Sequence, residues 1–478
     1  GGLGLGFGAL SALKALLPAD TPRLAAVSMD WRVLAFVSAV SILSGLVFGL
    51  APALRISNSD LAVAMKAGGQ RTTDAAGIHL RSSLIVSEIA LAVVLISSAG
   101  LLIRTLWQLV QVNPGFRGEQ ILTVRVTPDE SDCATRAACV ALYDKLLMKA
   151  RGLNGIYEAA AANTVPLSGE FPYVVAEVEG HPLEAGKNLA PLLWAGAVTP
   201  NYFQIMGIRL LIGRGFNDAD GEHSAQVIVV SAATARHYWP GENPIGKHIR
   251  LVWDDDWRTV VGVAGDVRQF NLADKPLEWV QGSIYMPYAQ SVDASHRLPR
   301  AMYILAHTSA GPGDFARNIH DLVASVNPNV PVGEVRSVRG IVAASTESSR
   351  SLMWLFVSFA GAALMLAVIG IYGVVSYSAA QRTYEMGIRV ALGATPRNIL
   401  GLVLGQGLRL VVAGLALGTL AALALTRLLA NFLYGVSPAD PPTFFLVAAL
   451  LIAVTLLASY VPARRAASVD PLRALRVE

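Results

Sequence analysis

Four charged side chains, Arg382, Glu385, Arg389 and Arg397, sit within QRTYEMGIRVALGATPRNIL (381–400), between two strongly apolar stretches of a chain that is only 15% charged. On a helix, spacings of i, i+3 and i+7 put Arg382, Glu385 and Arg389 on one face. Guanidinium and carboxylate groups arrayed this way suit charge-assisted hydrogen bonds to a complementary protein groove. Gly387 and Gly393 permit close approach or a turn, and Pro396 suits the first turn of a following helix. The plainer alternative is a cytoplasmic loop carrying positive-inside charge.

Catalytic motifs are missing. No G-x-x-x-x-G-K-[ST] occurs, so the chain is not expected to hydrolyse ATP itself. The eight histidines show neither H-E-x-x-H nor any paired-ligand spacing, and there is no G-x-S-x-G elbow. No catalytic residue, no metal site and no cofactor of this chain is therefore predicted. SALK (11–14) fits S-x-x-K but lies in an apolar run without a K-T-G companion. Asp218 with Asp220, and Asp254 to Asp256, offer cation-binding oxygens but read as solvated loop charge. GGLGLGFGAL (1–10) has the glycines of a dinucleotide loop without the preceding strand or following acid, and reads as a glycine-rich membrane helix.

The elements that must position these residues are set by composition. The chain has 478 residues and is 53% hydrophobic, which points to a membrane protein. A net charge of +4 without a basic stripe excludes nucleic acid as a partner and leaves the lipid bilayer. Runs long enough to cross a bilayer occur at about 1–17, 31–51, 82–108, 351–378, 399–430 and 441–462. Arg55, Lys66, Arg71 and Arg81 in one loop, the 381–398 segment, and Arg464, Arg465, Arg473 and Arg476 in the tail belong on the cytoplasmic side. Alternating crossings then put residues 112–348 outside. Glu88 and Arg104 fall near the two membrane surfaces and read as snorkelling side chains.

Within 112–348, ILTVRV, YVVAEVEG, VIVVS, RTVVGVAGDV, SIYMPYA and MYILAHT read as strands, and 135–151, 232–239 and 315–326 as helices. The expected fold is an α-helical polytopic membrane protein of six spans with a large α+β extracytoplasmic domain of two lobes. Cys133 and Cys139, the only cysteines, fall in this exported segment. They bridge only if Cys133 lies in the loop before the helix, and otherwise remain two unpaired thiols.

An internal repeat runs at an offset of 410 positions, laying APALRISNSDLAVAMK (51–66) on VPARRAASVDPLRALR (461–476). It matches Pro52 with Pro462, Arg55 with Arg465, Asp60 with Asp470, Asp30 with Asp440, Gly4 with Gly414 and Gly8 with Gly418. One unit is then a span, the external domain and three further spans.

RTYEMGIRVALGAT (382–395) resembles the R-x-x-E-x-G-I-R-x-A-L-G-A signature of the MacB/FtsX-type ABC transporter permeases. VPARRAASVDPLRALR resembles that family's closing segment, and NYFQIMGIRLLIGRGF (201–216) with TVVGVAGDVRQ (259–269) is similar to its periplasmic domain. The duplication resembles the duplicated, acidobacterial-type permeases, and an opening on Gly1 inside an apolar run is expected of an N-terminally truncated copy.

The resemblance implies five segments. Residues 1–66 end a first permease copy, 67–81 form a cytoplasmic linker, and 82–108 form the first span of the second copy. Residues 112–348 are a MacB-like periplasmic domain, and 351–478 an FtsX-like domain with a coupling helix near 381–397. It implies a bacterial inner-membrane location and coupling to a cytoplasmic ABC ATPase dimer, carrying ATP and Mg, through Arg382, Glu385, Gly387, Arg389 and Gly393. It also implies a periplasmic adaptor or outer-membrane channel as a further partner. The cargo expected is a hydrophobic compound, a peptide or a lipid-linked molecule. The proline-free run from Gly340 to Tyr377 is expected to form one rod carrying displacement across the membrane. The alternatives are an FtsX-like regulator of an envelope enzyme, an antimicrobial-peptide sensor, or a membrane-anchored enzyme with its site in 112–348.

Cysteines placed at positions 385 and 250 test the topology. An impermeant thiol reagent should label position 250 in intact cells and position 385 only after permeabilisation; labelling of both from one side sinks the arrangement.

Overall fold

The computed structural model describes residues 72–170, 172–181, 192–270, 272, 280–291, 298–381, 383–428 and 433–467, and 8, 11, 31–32, 34–39 and 41–43 nearer the start. The span expected at 1–17 lies almost wholly outside the described residues, as do 51–66 and 468–476 of the repeat, and the span expected at 31–51 is described only over 31–32, 34–39 and 41–43. The chain divides into two compact units, 1–107 with 349–478 and 108–348. Among the described residues four helical stretches are long and apolar enough to cross a membrane: Ser82–Gln111, Ser349–Gln381, Pro396–Thr426 and Pro441–Ala467. The first belongs to α1 (Thr72–Gln111), which begins ahead of the apolar run.

The sheet unit, 108–348, is two lobes. The first is a split β-α-β pair: β1 (Ile121–Val126), α2 (Arg136–Arg151) and β2 (Ile156–Ala162), completed much later in the chain. The second lobe is inserted after β2. It holds β3 (Tyr173–Val178), β4 (Leu192–Val198), α3 (Tyr202–Ile205), β5 (Leu210–Gly213), β6 (Val227–Ser231), α4 (Ala232–Tyr238), β7 (His248–Leu251), β8 (Arg258–Ala264) and β9 (Val280–Pro287). The chain then returns as β10 (Met302–Thr308), α5 (Pro312–Val326) and β11 (Val332–Ser337) to finish the first lobe.

In that lobe the strand order is β11-β1-β10-β2, antiparallel throughout. Val124, Ile304 and Ala159 of the strands bury Tyr143 and Leu146 of α2 and Phe315 and Ile319 of α5. The inserted strands close a ring, β4-β3-β7-β8-β6-β9 and back to β4, around Leu193, Ile228, Ile249, Val260 and Ile284. Closure leaves no open ladder around the ring. Only β5 lies off it, paired with β8.

The two cysteines are joined. Cys133 sits in the turn before α2, whose N-cap Thr135 accepts from the Ala138 N–H, and its sulfur bonds Cys139 within the helix across a Cα–Cα distance of 4.5 Å. The Tyr288 hydroxyl lies 3.3 Å from the Cys139 sulfur.

One expectation is corrected. The run expected to form a single rod is two helices, α6 (Val338–Ser345) and α7 (Glu347–Gln381), with Thr346 between them. No proline is needed to end α6. The Ser345 hydroxyl bonds the Val342 carbonyl at 2.7 Å and the Thr346 hydroxyl bonds the Ala343 carbonyl at 2.9 Å, competing with the helical ladder.

In the membrane unit α7 is followed by α8 (Thr383–Ala391), α9 (Pro396–Thr426) and α10 (Pro441–Ala467). Ile85, Ile89 and Val93 of α1 share a core with Ile371 and Val375 of α7, Val403 and Val411 of α9, and Val447 and Leu451 of α10. Half of the α1 span is buried, against 17–22% for the other three, so α1 is the central element of this unit.

Small residues let the others approach it. A Cβ on Gly414 or Gly418 of α9 would lie 2.5 Å from Ile89 or 2.7 Å from Val93, and one on Gly100 of α1 would lie 2.9 Å from the Thr443 methyl. Gly414 and Gly418 form a G-x-x-x-G step, the spacing that aligns two small residues on one helix face. Arg104, expected to snorkel alone, pairs with Asp440, which also accepts from Thr443 N–H at 3.1 Å and Thr443 Oγ1 at 2.6 Å.

Replacing Gly418 by Leu should overpack this seam at a cost of about 1–3 kcal/mol and lower the thermal midpoint of the detergent-solubilised chain by several degrees. G405L should leave it unchanged, because a Cβ at Gly405 meets nothing within 4 Å. Equal midpoints for the two variants would refute the seam.

Candidate functional site

The charged segment folds as α8, nine residues long. Glu385 lies in its first turn and Arg389 in its last, where each complements the helix dipole. They bond each other, Arg389 Nη2 donating to Glu385 Oε1 at 2.7 Å. Both side chains are about half exposed, so the pair contributes only about 0.3–0.5 kcal/mol. Its consequence is geometric: acid and base lie together on the surface as one neutralised pair.

Below this pair α8 is anchored. Met386 is buried among Ile399 of α9 and Ala463 and Ala466 of α10. The C-terminus is closed by a double bond pattern, Gly393 N–H to Val390 carbonyl at 3.0 Å and Ala394 N–H to Arg389 carbonyl at 2.9 Å. This Schellman turn needs a residue in the left-handed region, and Gly393 has φ +96°. Thr395 then caps α9, with Pro396 in its first turn. Between α8 and the start of α9 is a notch of about 220 Å³, lined by Glu385, Met386, Arg389, Asn398, Ile399 and Leu402.

The structure thus brings Glu385, Arg389 and Gly393 together, with Gly387 inside α8; Arg382 lies outside the described residues. Charge alone missed two apolar members of the same surface. Ile388 is 37% and Leu392, in the turn that closes α8, 82% exposed, and with Glu385 they follow i, i+3 and i+7, so they lie beside the pair on one outward stripe. The signal was in the sequence: an apolar residue at each helical step beside the charges, too many for the single face that Met386 buries.

Other candidate positions do other work. Asp220 is held by Arg214 at 2.7 and 2.9 Å and by the Asn217 N–H at 2.9 Å. Burial pushes its carboxyl up, but these hydrogen bonds outweigh that and keep it below the usual carboxylate range. Asp254 is held by Arg258 at 2.6 Å. Both acids are therefore turn-fixing groups. SALK lies almost wholly outside the described residues. Near Arg104 a cavity of about 570 Å³ opens among Ile96, Ile103, Trp107, Leu446 and Leu450. It is too poor in polar groups to orient a ligand.

Two family models match the chain: the MacB-like periplasmic core domain over residues 82–341 and the FtsX-like permease C-terminal domain over 357–471. The "Probable syringafactin export ATP-binding/permease protein SyfD" of Pseudomonas syringae pv. tomato is 28% identical over 302 residues, covering 58% of this chain and 41% of that protein. The "Macrolide export ATP-binding/permease protein MacB" of Escherichia coli K12 is 27% identical over 289 residues, covering 59% and 43%. The chain thus spans less than half the length of these relatives. The crystal structure of the periplasmic region of MacB from Actinobacillus actinomycetemcomitans gives a TM-score of 0.33 at 13% identity, over 50% of this chain and 97% of that region.

Reversing Glu385 alone sets two arginines one turn apart and should loosen α8, whereas E385R/R389E restores an i, i+4 pair. Amide hydrogen exchange across 383–391 should therefore rise in E385R and return towards the parent value in the double variant. No change in the single variant would show that the pair does not hold the helix.

Proposed function

Because this chain belongs to the MacB/FtsX-type ABC transporter permeases, we propose that it is the permease subunit of an ATP-driven export or mechanotransmission system of a bacterial inner membrane. The observation that carries this reading is the outward stripe of α8. It sets a neutralised charge pair beside two exposed apolar side chains, Ile388 of the helix and Leu392 of its closing turn, on an element clamped to α9 and α10. Protein docking surfaces combine apolar anchors with a polar rim in this way. Met386 and the Gly393 turn make α8 follow, and lead, the membrane helices it is packed on.

The occupant assigned to the stripe is a cytoplasmic ABC ATPase, working as a dimer and supplying the ATP and Mg²⁺ chemistry. Its stroke would reach residues 112–348 on the periplasmic side through α1 and the α6–α7 connection. That domain would handle a hydrophobic, peptide or lipid-linked cargo, with an adaptor or outer-membrane channel as a further partner. The family match and the macrolide and syringafactin export named for the relatives support an export reading.

Leu392 gives the sharper test, since at 82% exposure it contributes nothing to the fold of this chain. L392D should keep the parent's thermal midpoint while reducing co-purification of the ATPase roughly tenfold or more, as loss of an interface anchor does. Retention of the ATPase at parent levels by both L392D and E385R would overturn the reading.

A further inference from the structure

The sheet unit carries an apolar edge that neither its own fold nor the coupling reading uses. β5 reads Leu-Leu-Ile-Gly and pairs with β8 alone, with a bulge at Leu211 between the Leu210–Ala264 and Ile212–Val263 pairings. Leu210, Leu211 and Ile212 are 40%, 55% and 49% exposed, so three successive large apolar side chains face solvent. An uncovered edge of this kind is an aggregation hazard unless something occupies it.

What lies beside β5 narrows the occupant. The Gly265 N–H bonds the Arg209 carbonyl at 2.8 Å, the Arg117 N–H bonds the Met206 carbonyl at 2.7 Å, and the Arg268 N–H bonds the Pro114 carbonyl at 2.9 Å. The Arg117 side chain lies over Gly207, and Gly118 packs on the backbone of Arg339. The apolar edge is therefore joined to the segment 114–118. Arg117, Arg209 and Arg339 are all exposed there, and no ion pair of theirs is found among the described residues; Glu119 is the exposed acid on the same segment.

Chain length ties this corner to the bilayer. The membrane helix α1 ends at Gln111, after Trp107, which is 63% exposed and has the chemistry of an interfacial belt residue. Arg117 is six positions after Gln111, a reach of at most ~20 Å even when fully extended. Apolar side chains beside arginines, tethered this close to a headgroup layer, match the chemistry of an interfacial anchor: chains dip below the phosphates and guanidinium groups bind them.

The geometry points to β5, with Arg117, Arg209 and Arg339, as a docking surface for the anionic phospholipid headgroups of the leaflet from which α1 emerges. This anchor rests on the membrane reading and not on ATPase docking. It would brace the base of the sheet unit against the bilayer at a second point beside the chain crossings.

A site-specific fluorophore tests it. Cys133 and Cys139 are bonded, so an introduced cysteine is the one reactive thiol. An NBD label on L211C is compared with one on D255C, in the loop between β7 and β8 at the other end of β8, with the full chain in phosphatidylglycerol nanodiscs carrying a headgroup-level nitroxide lipid. Quenching at position 211 should exceed that at 255 by at least about twofold. The excess should shrink in R117E/R209E/R339E and, with no substitution, in about 0.5 M salt, because phosphate attraction is screened. Equal quenching at the two positions overturns the proposal, as does an excess that neither charge reversal nor salt reduces. A label at 211 that is blue-shifted yet unquenched would assign the strand to a protein partner or a second copy, and also overturns it.

Discussion

The membrane unit depends on how closely backbones can approach α1. In a bilayer no hydrophobic force favours helix pairing, because lipid is as apolar as leucine, so contact must come from close packing. Gly414 and Gly418 supply it on α9, Gly100 meets Thr443 of α10, and Gly370 of α7 takes the Glu88 carboxylate against its backbone. A side chain at Gly414 or Gly418 would hold α9 away from α1. The same step appears as Gly4 and Gly8 in the repeat, so the duplicated sequence keeps the residues whose role is to be small.

That bundle gives α8 its meaning. A nine-residue helix is marginal by itself. It is held by one buried methionine and one glycine turn, and both belong to the junction with α9 and α10 rather than to the exposed stripe. The labour is divided along the helix: Met386 and Gly393 fix where α8 sits, while Ile388, Leu392 and the Glu385–Arg389 pair are left outward. A surface that touches a motor must be exposed, and one that passes motion on must be anchored. α8 meets both needs with different residues.

The sheet unit solves a different problem. Ten of its eleven described strands could have left open ladders, but six close a ring and four form a helix-covered sheet joined to it at the single Ala162–Val198 pairing, with β4 counted in the ring. β5 is left over, and on this short bulged strand three successive leucine and isoleucine side chains are displayed instead of packed.

Much of this was legible in the sequence. Long uncharged runs marked the four described spans, because a bilayer demands about twenty apolar residues whatever the neighbours are. Six strands and three helices of the sheet unit followed from alternation and periodicity. The strand β2, IYEAAAA, did not. Four successive alanines favour a helix in isolation, and only the buried slot beside β10, where each is fully covered, makes them a strand. β5 and β7, four residues each, were too short to carry a period. In the same way the charges of 382–389 were visible, but not that Glu385 and Arg389 would neutralise each other, nor that Arg104 would find Asp440 more than three hundred residues away. Composition and spacing determined which segments enter lipid, which helices can pack closely and which family the chain resembles, because those depend on local side-chain chemistry. Tertiary structure alone decided which faces are buried, which charges are paired and which apolar side chains are left for a partner, because each is a property of two segments meeting in space.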